Sequence, residues 1–152
     1  MLDDAIATVA LLLMVRAALI HRRQVWLHAG YMFSTLLLVL PPIVTRLLPP
    51  MTGVGLPPFD AAYLAAELSA GVIAMLLAWI YPQSRGPFLI VTAVTVAQAA
   101  AVEAFGRSRG WADAFFALTR VPPAFLAAVG LSVSGVLLWS AWQVRRPVAR
   151  SV

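Results

Sequence analysis

"FDAAYLAAELSAGVIAMLLAWIY", residues 59 to 81, decides what kind of protein this is. From Ala61 to Tyr81 its one charged residue is Glu67, and no proline interrupts it. A bilayer hydrocarbon core takes roughly 20 consecutive apolar residues as a helix, so the stretch reads as a membrane span. Within it Ala62, Ala66, Ala70, Ala74 and Ala78 recur every four residues. In lipid, apolar side chains gain little by leaving their surroundings, and small residues instead let helix backbones approach closely. The alanines therefore predict a packing ridge, inside one subunit or between two.

The rest of the chain repeats the pattern. Of its 152 residues, 62% are hydrophobic and 11% charged, against roughly 45–50% and about 25% in ordinary soluble domains. Apolar blocks predict five helices, over 3–20, 25–48, 59–81, 87–105 and 121–143, in a single all-α integral membrane bundle. The first block is the shortest. It begins "MLDD" and runs into "RAALIHRR", unlike a signal peptide with its basic start and small-residue cleavage site, so it is expected to be a retained helix. There is no cysteine, hence no disulfide, thiolate ligand or thiol nucleophile.

All eleven basic residues are arginine. They sit in short turns and form no basic stripe of the kind that binds nucleic acid, so no nucleic-acid partner is expected. With five spans, Arg22, Arg23, Arg85, Arg145, Arg146 and Arg150 fall on one side, and Arg46, Arg107, Arg109 and Arg120 on the other. The positive-inside rule then puts the N-terminus outside and the C-terminus in the cytoplasm. The same count gathers Trp26, Trp79, Tyr81, Trp139 and Trp142 at one interface and Phe59, Tyr63 and Trp111 at the other, as aromatic belts require. Arg16, about one turn from its helix end, is expected to snorkel to the headgroups.

Prolines punctuate the spans. Pro41 and Pro42 withdraw two donors inside the second block and predict a kink; Pro49-Pro50, Pro57-Pro58 and Pro122-Pro123 are expected to stop and start helices. Between the last two blocks, Trp111, Phe115 and Leu118 recur at helical spacing among polar residues, which suggests a short amphipathic segment on the outer surface, with an ordinary loop as the alternative.

Two constellations carry chemistry. Glu67 stands about two turns into its helix, and intramembrane carboxylates are functional candidates by default. On the next helix Thr92, Thr95, Ala99 and Glu103 share a face, with Gln98 at its edge near the depth of Glu67. Glu67, Gln98 and Glu103, with Thr95 and Tyr63, are thus either an ion or proton pathway from the outer surface or a hydrogen-bonded clamp between helices; in the clamp, Glu67 is protonated or paired with Arg46 or Arg107. The clamp is the more ordinary outcome. The second constellation is "HRRQVWLHAGYM", residues 21–32. His21, His28 and Met32 are residue types that ligate haem iron or copper, so haem b is the one cofactor to consider. Histidines at the headgroup level need no cofactor, and none is expected. No hydrolytic triad, phosphate-binding loop, H-E-x-x-H or C-x-x-C is present, so no catalytic residues are assigned.

Around "IHRRQVWLHAGYMFSTLLLVLPPIVTRLLP" the chain resembles uncharacterised small multi-pass bacterial membrane proteins. The shared features are a basic turn, a histidine followed by an aromatic-methionine pair (His28 with Tyr31-Met32), and a proline-broken helix ending in arginine-leucine. "FGRSRGWADAFFAL" is a further piece of the likeness. The resemblance implies the bacterial inner membrane and no catalytic assignment. The expectation is a structural or accessory membrane protein, with the lipid bilayer and either a second copy or another membrane subunit as partners. The rivals are a small transporter built on Glu67 and a haem-binding electron carrier built on His28.

Overall fold

The computed structural model describes residues 2–52, 59–105 and 108–144. Its elements are α1 (Leu2–Ile20), α2 (Val25–Thr52), α3 (Phe59–Ile80), a 3₁₀ turn (Pro82–Ser84), α4 (Arg85–Phe105), α5 (Arg109–Thr119) and α6 (Pro123–Gln143), with no strand among the described residues. Among the described residues, four helices are long and apolar enough to cross a membrane: α2 over Val25–Thr45, α3 over Ala62–Ile80, α4 with its preceding turn over Pro82–Ala104, and α6. The apolar part of α1, Ala5–Ile20, is shorter, about 24 Å at 1.5 Å per residue.

Helix ends depart from expectation by a residue or two except in α2, which runs through Pro49-Pro50 to Thr52 and so passes the predicted stop at 48. A proline's fixed φ is compatible with a helix, and near the end of one it removes few bonds. Pro41 is fully buried, and Thr45 donates its hydroxyl back to the carbonyls of Pro41 (3.0 Å) and Pro42 (3.3 Å). Pro122-Pro123 behaves as predicted: Pro122 caps α6 and Pro123 opens it, where its missing N–H would have had no helical partner. Pro57-Pro58 lies outside the described residues. The segment read as amphipathic helix or loop is the helix α5, with Phe116 and Leu118 exposed.

The core brings Met14 of α1, Leu37 and Leu38 of α2, Ala74 and Ala78 of α3, and Phe88 and Val91 of α4 into one cluster. The alanine ridge therefore packs inside the subunit, and only in part. Ala70, Ala74 and Ala78 are buried, while Ala62 and Ala66 are half-buried. Four residues turn a helix by about 400° at 3.6 residues per turn, so an every-fourth-residue line drifts about 40° per step and leaves the contact face at one end.

One end of the bundle is tied by specific contacts. The Ser84 hydroxyl donates to the carbonyl of Trp26 at 2.6 Å, joining the α3–α4 turn to the start of α2. Gly30 permits this approach: a Cβ there would lie 2.8 Å from the Ser84 Cβ. The Arg22 guanidinium lies 4.7 Å from the ring centre of Trp142, joining the α1–α2 turn to the end of α6.

Candidate functional site

The largest polar investment in the apolar interior lies between α3 and α4. Tyr63, Glu67, Thr95 and Gln98 are all buried, Glu67 and Gln98 at 1% exposure. Tyr63 and Glu67 are four apart and so share a helix face; the Tyr63 hydroxyl donates to Glu67 Oε1 at 2.6 Å. From α4 the Gln98 amide donates to the same oxygen at 3.5 Å, the long end of a hydrogen bond. One turn further along α3 the helices again approach closely. The Thr92 hydroxyl lies 3.3 Å from the carbonyl of Gly71 and 3.2 Å from that of Phe88, and the Thr95 hydroxyl donates to the carbonyl of Thr92 at 3.0 Å. A Cβ on Gly71 would stand 2.6 Å from Thr95 Oγ1. A side chain at position 71 would have to displace the Thr95 hydroxyl, and glycine gives the close helix approach that small residues provide between membrane helices.

Two placements correct the sequence reading. Tyr63, assigned to an outer aromatic belt as well as to the polar chain, is 8% exposed and turned onto Glu67. Glu103 is exposed and stands apart from the cluster. The buried stripe of α4 runs through Phe88, Val91, Thr95 and Gln98; Glu103 points about 140° from Gln98 and about 80° from Thr95. The sequence reading runs the face through Thr92, Thr95, Ala99 and Glu103 with Gln98 at its margin; Thr95 belongs to the buried stripe, Gln98 lies within it, Thr92 and Ala99 are half-buried and Glu103 is off it. Gly71 was missed altogether. Its signal is the spacing Tyr63, Glu67, Gly71, a second every-fourth column beside the alanines. The side chains of Arg46 and Arg107, named as partners for Glu67, lie outside the described residues.

The histidines serve the α1–α2 turn. His21 Nδ1 is 2.9 Å from the carbonyl of Ala17, and His28 Nδ1 is 2.9 Å from that of Ala18. A carbonyl only accepts, so both rings donate from Nδ1; His28 meets the Ala18 carbonyl near the end of α1, while His21 adds a second hydrogen bond to the Ala17 carbonyl, which already accepts its own backbone N–H. The His21 ring also lies 5.5 Å from that of Tyr31. Met32 is 46% exposed. Among the described residues no three histidine, aspartate or glutamate side chains converge as a metal site.

Comparison with protein families, with characterised proteins and with solved structures found no match. Function therefore rests on the geometry alone. The Tyr63–Glu67–Gln98 cluster joins two helices through one shared carboxylate oxygen, and Gly71 and Thr95 close the adjoining turn without space for a side chain. Such an arrangement fixes the register of α3 against α4.

Proposed function

We propose that this is a five-span protein of the bacterial inner membrane, N-terminus outside and C-terminus cytoplasmic, that acts as a structural or accessory subunit and not as an enzyme. The observation carrying this reading is the use of Glu67. A carboxyl group is costly inside a bilayer and usually marks an ion or proton route. Here it accepts hydrogen bonds from Tyr63 and Gln98 in the α3–α4 contact, beside the 2.6 Å approach of Thr95 to Gly71, while Glu103 lies off that face. These features favour the clamp over a pathway. The short α1 counts as a span because Arg22 at its end meets Trp142 at the end of α6. That contact supports reading the ends of α1 and α6 at one level of the bundle.

Absence of cysteine makes single-cysteine labelling direct. In spheroplasts, a membrane-impermeant thiol reagent should label Asp3→Cys and Ser108→Cys, whereas Gln24→Cys, Gln83→Cys and Val144→Cys should react only after permeabilisation. Equal labelling of positions 3 and 24 would remove α1 from the spans. In proteoliposomes carrying a pH gradient, the protein should conduct no more than empty vesicles; proton flux lost in Glu67→Gln would replace the structural reading by transport.

A further inference from the structure

A second feature lies outside the clamp. Seven residues of α1 between Ala5 and Ala17, with Tyr31 of α2 and Ile90 and Val94 of α4, line an open groove of about 620 Å³, within the range of roughly 300–1,000 Å³ typical of small-molecule sites. Its lining is apolar apart from the Tyr31 phenol. Twelve residues of helix give it a length of about 18 Å, close to half of a hydrocarbon core about 30 Å thick.

Arg16 is not part of the lining, but it precedes the last α1 lining residue, Ala17, and comes seven residues or about two turns after Val9, so helical periodicity puts it on the face of α1 that carries Val9. Its Nε is shielded from solvent and has no hydrogen-bond partner among the described residues. Its neighbour Arg22 is engaged, donating to the carbonyl of Leu19 at 3.2 Å and lying over Trp142. Charge is also divided along the bundle. Arg16, Arg22, Arg23 and Arg85 gather at one end with no acid among them. Asp3 and Asp4 in the first turn of α1, Asp60 in that of α3, Glu103 near the end of α4 and Asp113 in α5 all belong to the opposite end. A second copy in the same orientation would bring its acids to the wrong depth. The anion that reaches Arg16 at its own level is a lipid headgroup, and guanidinium binds phosphate through paired hydrogen bonds.

We propose that the α1–α4 groove holds one acyl chain of an anionic phospholipid whose phosphate is bound by Arg16. The inference rests on the reading of α1 as a membrane span. It adds a ligand of stated chemistry to that reading: a glycerophospholipid of net negative charge, taken from the leaflet at the arginine-rich end.

The test is native mass spectrometry of the full chain in mild detergent, with phosphatidylglycerol or phosphatidylcholine of the same acyl composition added. Both lipids present a phosphodiester, but in phosphatidylcholine the quaternary ammonium cancels its charge and is repelled by the guanidinium, so the one-to-one phosphatidylglycerol adduct should exceed the phosphatidylcholine adduct by about tenfold. Arg16→Gln should reduce phosphatidylglycerol to the phosphatidylcholine level, and Arg16→Lys should keep part of the preference. Val9→Trp, at an exposed lining position, should remove both adducts. Arg85→Gln, an exposed arginine at the same end, should change neither. Equal retention of the two lipids by the wild type, undiminished phosphatidylglycerol on Arg16→Gln, or a lipid-free dimer dispersed by Val9→Trp would each overturn the proposal. Detergent adducts do not depend on the number of spans, which cysteine labelling reports separately.

Discussion

α3 and α6 are nearly equal in length, 22 and 21 residues, and both are long and apolar enough to cross a membrane, yet 33% of the apolar span of α3 is buried against 6% of α6. Hydropathy accounts for neither figure. In α3 the buried positions are the polar and small ones, Tyr63, Glu67, Ala70, Ala74 and Ala78, with Gly71 against Thr95 of α4. α6 also has small residues, Gly130, Ser134 and Gly135, but a Cβ on either glycine would meet nothing within 4 Å. Its chief contacts are with α1. Apolar surface brings a helix out of water, whereas hydrogen bonds and close backbone approach decide which helices then hold together.

The largest effect that should separate the two regions comes from adding bulk at a glycine. Gly71→Val forces the 2.6 Å contact with Thr95, and Thr95 is 1% exposed, so neither side can yield cheaply. Overpacking of this kind costs about 1–3 kcal/mol. Gly130→Val meets open space and should fall within about 0.5 kcal/mol of the wild type, as surface substitutions do. Unfolding titrations from mild detergent into dodecyl sulfate would measure both. Equal losses at the two positions would mean that α6 is packed as tightly as α3.

A smaller effect should come from the clamp. Glu67→Ala removes the acceptor that Tyr63 and Gln98 share and should cost about 1–2 kcal/mol, whereas Glu67→Gln keeps a carbonyl oxygen and should cost less. Combining Tyr63→Phe with Glu67→Ala isolates the pair. A buried hydrogen bond is worth about 0.5–1.5 kcal/mol net, and the 2.6 Å bond within α3 belongs toward the upper end. Additive losses in that cycle would show the two residues to be neighbours without an energetic bond.

This contrast explains what could be read from the sequence. The helical class was legible because apolar residues cluster in lengths suited to a bilayer, and the helical spacing of Trp111, Phe115 and Leu118 anticipated α5. Glu67 was legible because its charge is conspicuous among alanines and leucines. The rotation of α4 was not: Thr92, Thr95 and Gln98 fit two adjoining faces, and the choice between them is made by the contacts with Glu67 and Gly71. Tyr63 could be read as interfacial or buried for a similar reason, since an aromatic ring with a hydroxyl suits either place. The continuation of α2 past Pro49-Pro50 shows the limit of treating proline pairs as stops.

The smallest predicted effect bears on the loose region itself. Arg22 lies over Trp142 at 4.7 Å, a cation–π contact at a partly exposed site, worth about 0.5–1 kcal/mol. Trp142→Leu preserves apolar bulk and removes the ring face, while Arg22→Gln removes the charge but keeps a polar side chain of similar reach. If the contact anchors α6, each single variant should lose up to about 1 kcal/mol and the double variant should lose no more than either alone. If α6 is held instead by its apolar contacts with α1, the losses should be close to zero. Spin labels at Gln24→Cys and Gln143→Cys would add a geometric reading: their distance distribution should broaden in Trp142→Leu while a pair spanning α3 and α4 stays narrow. That result would locate the freedom of the molecule in the packing of α6, because the clamp holding α3 to α4 is untouched by the substitution.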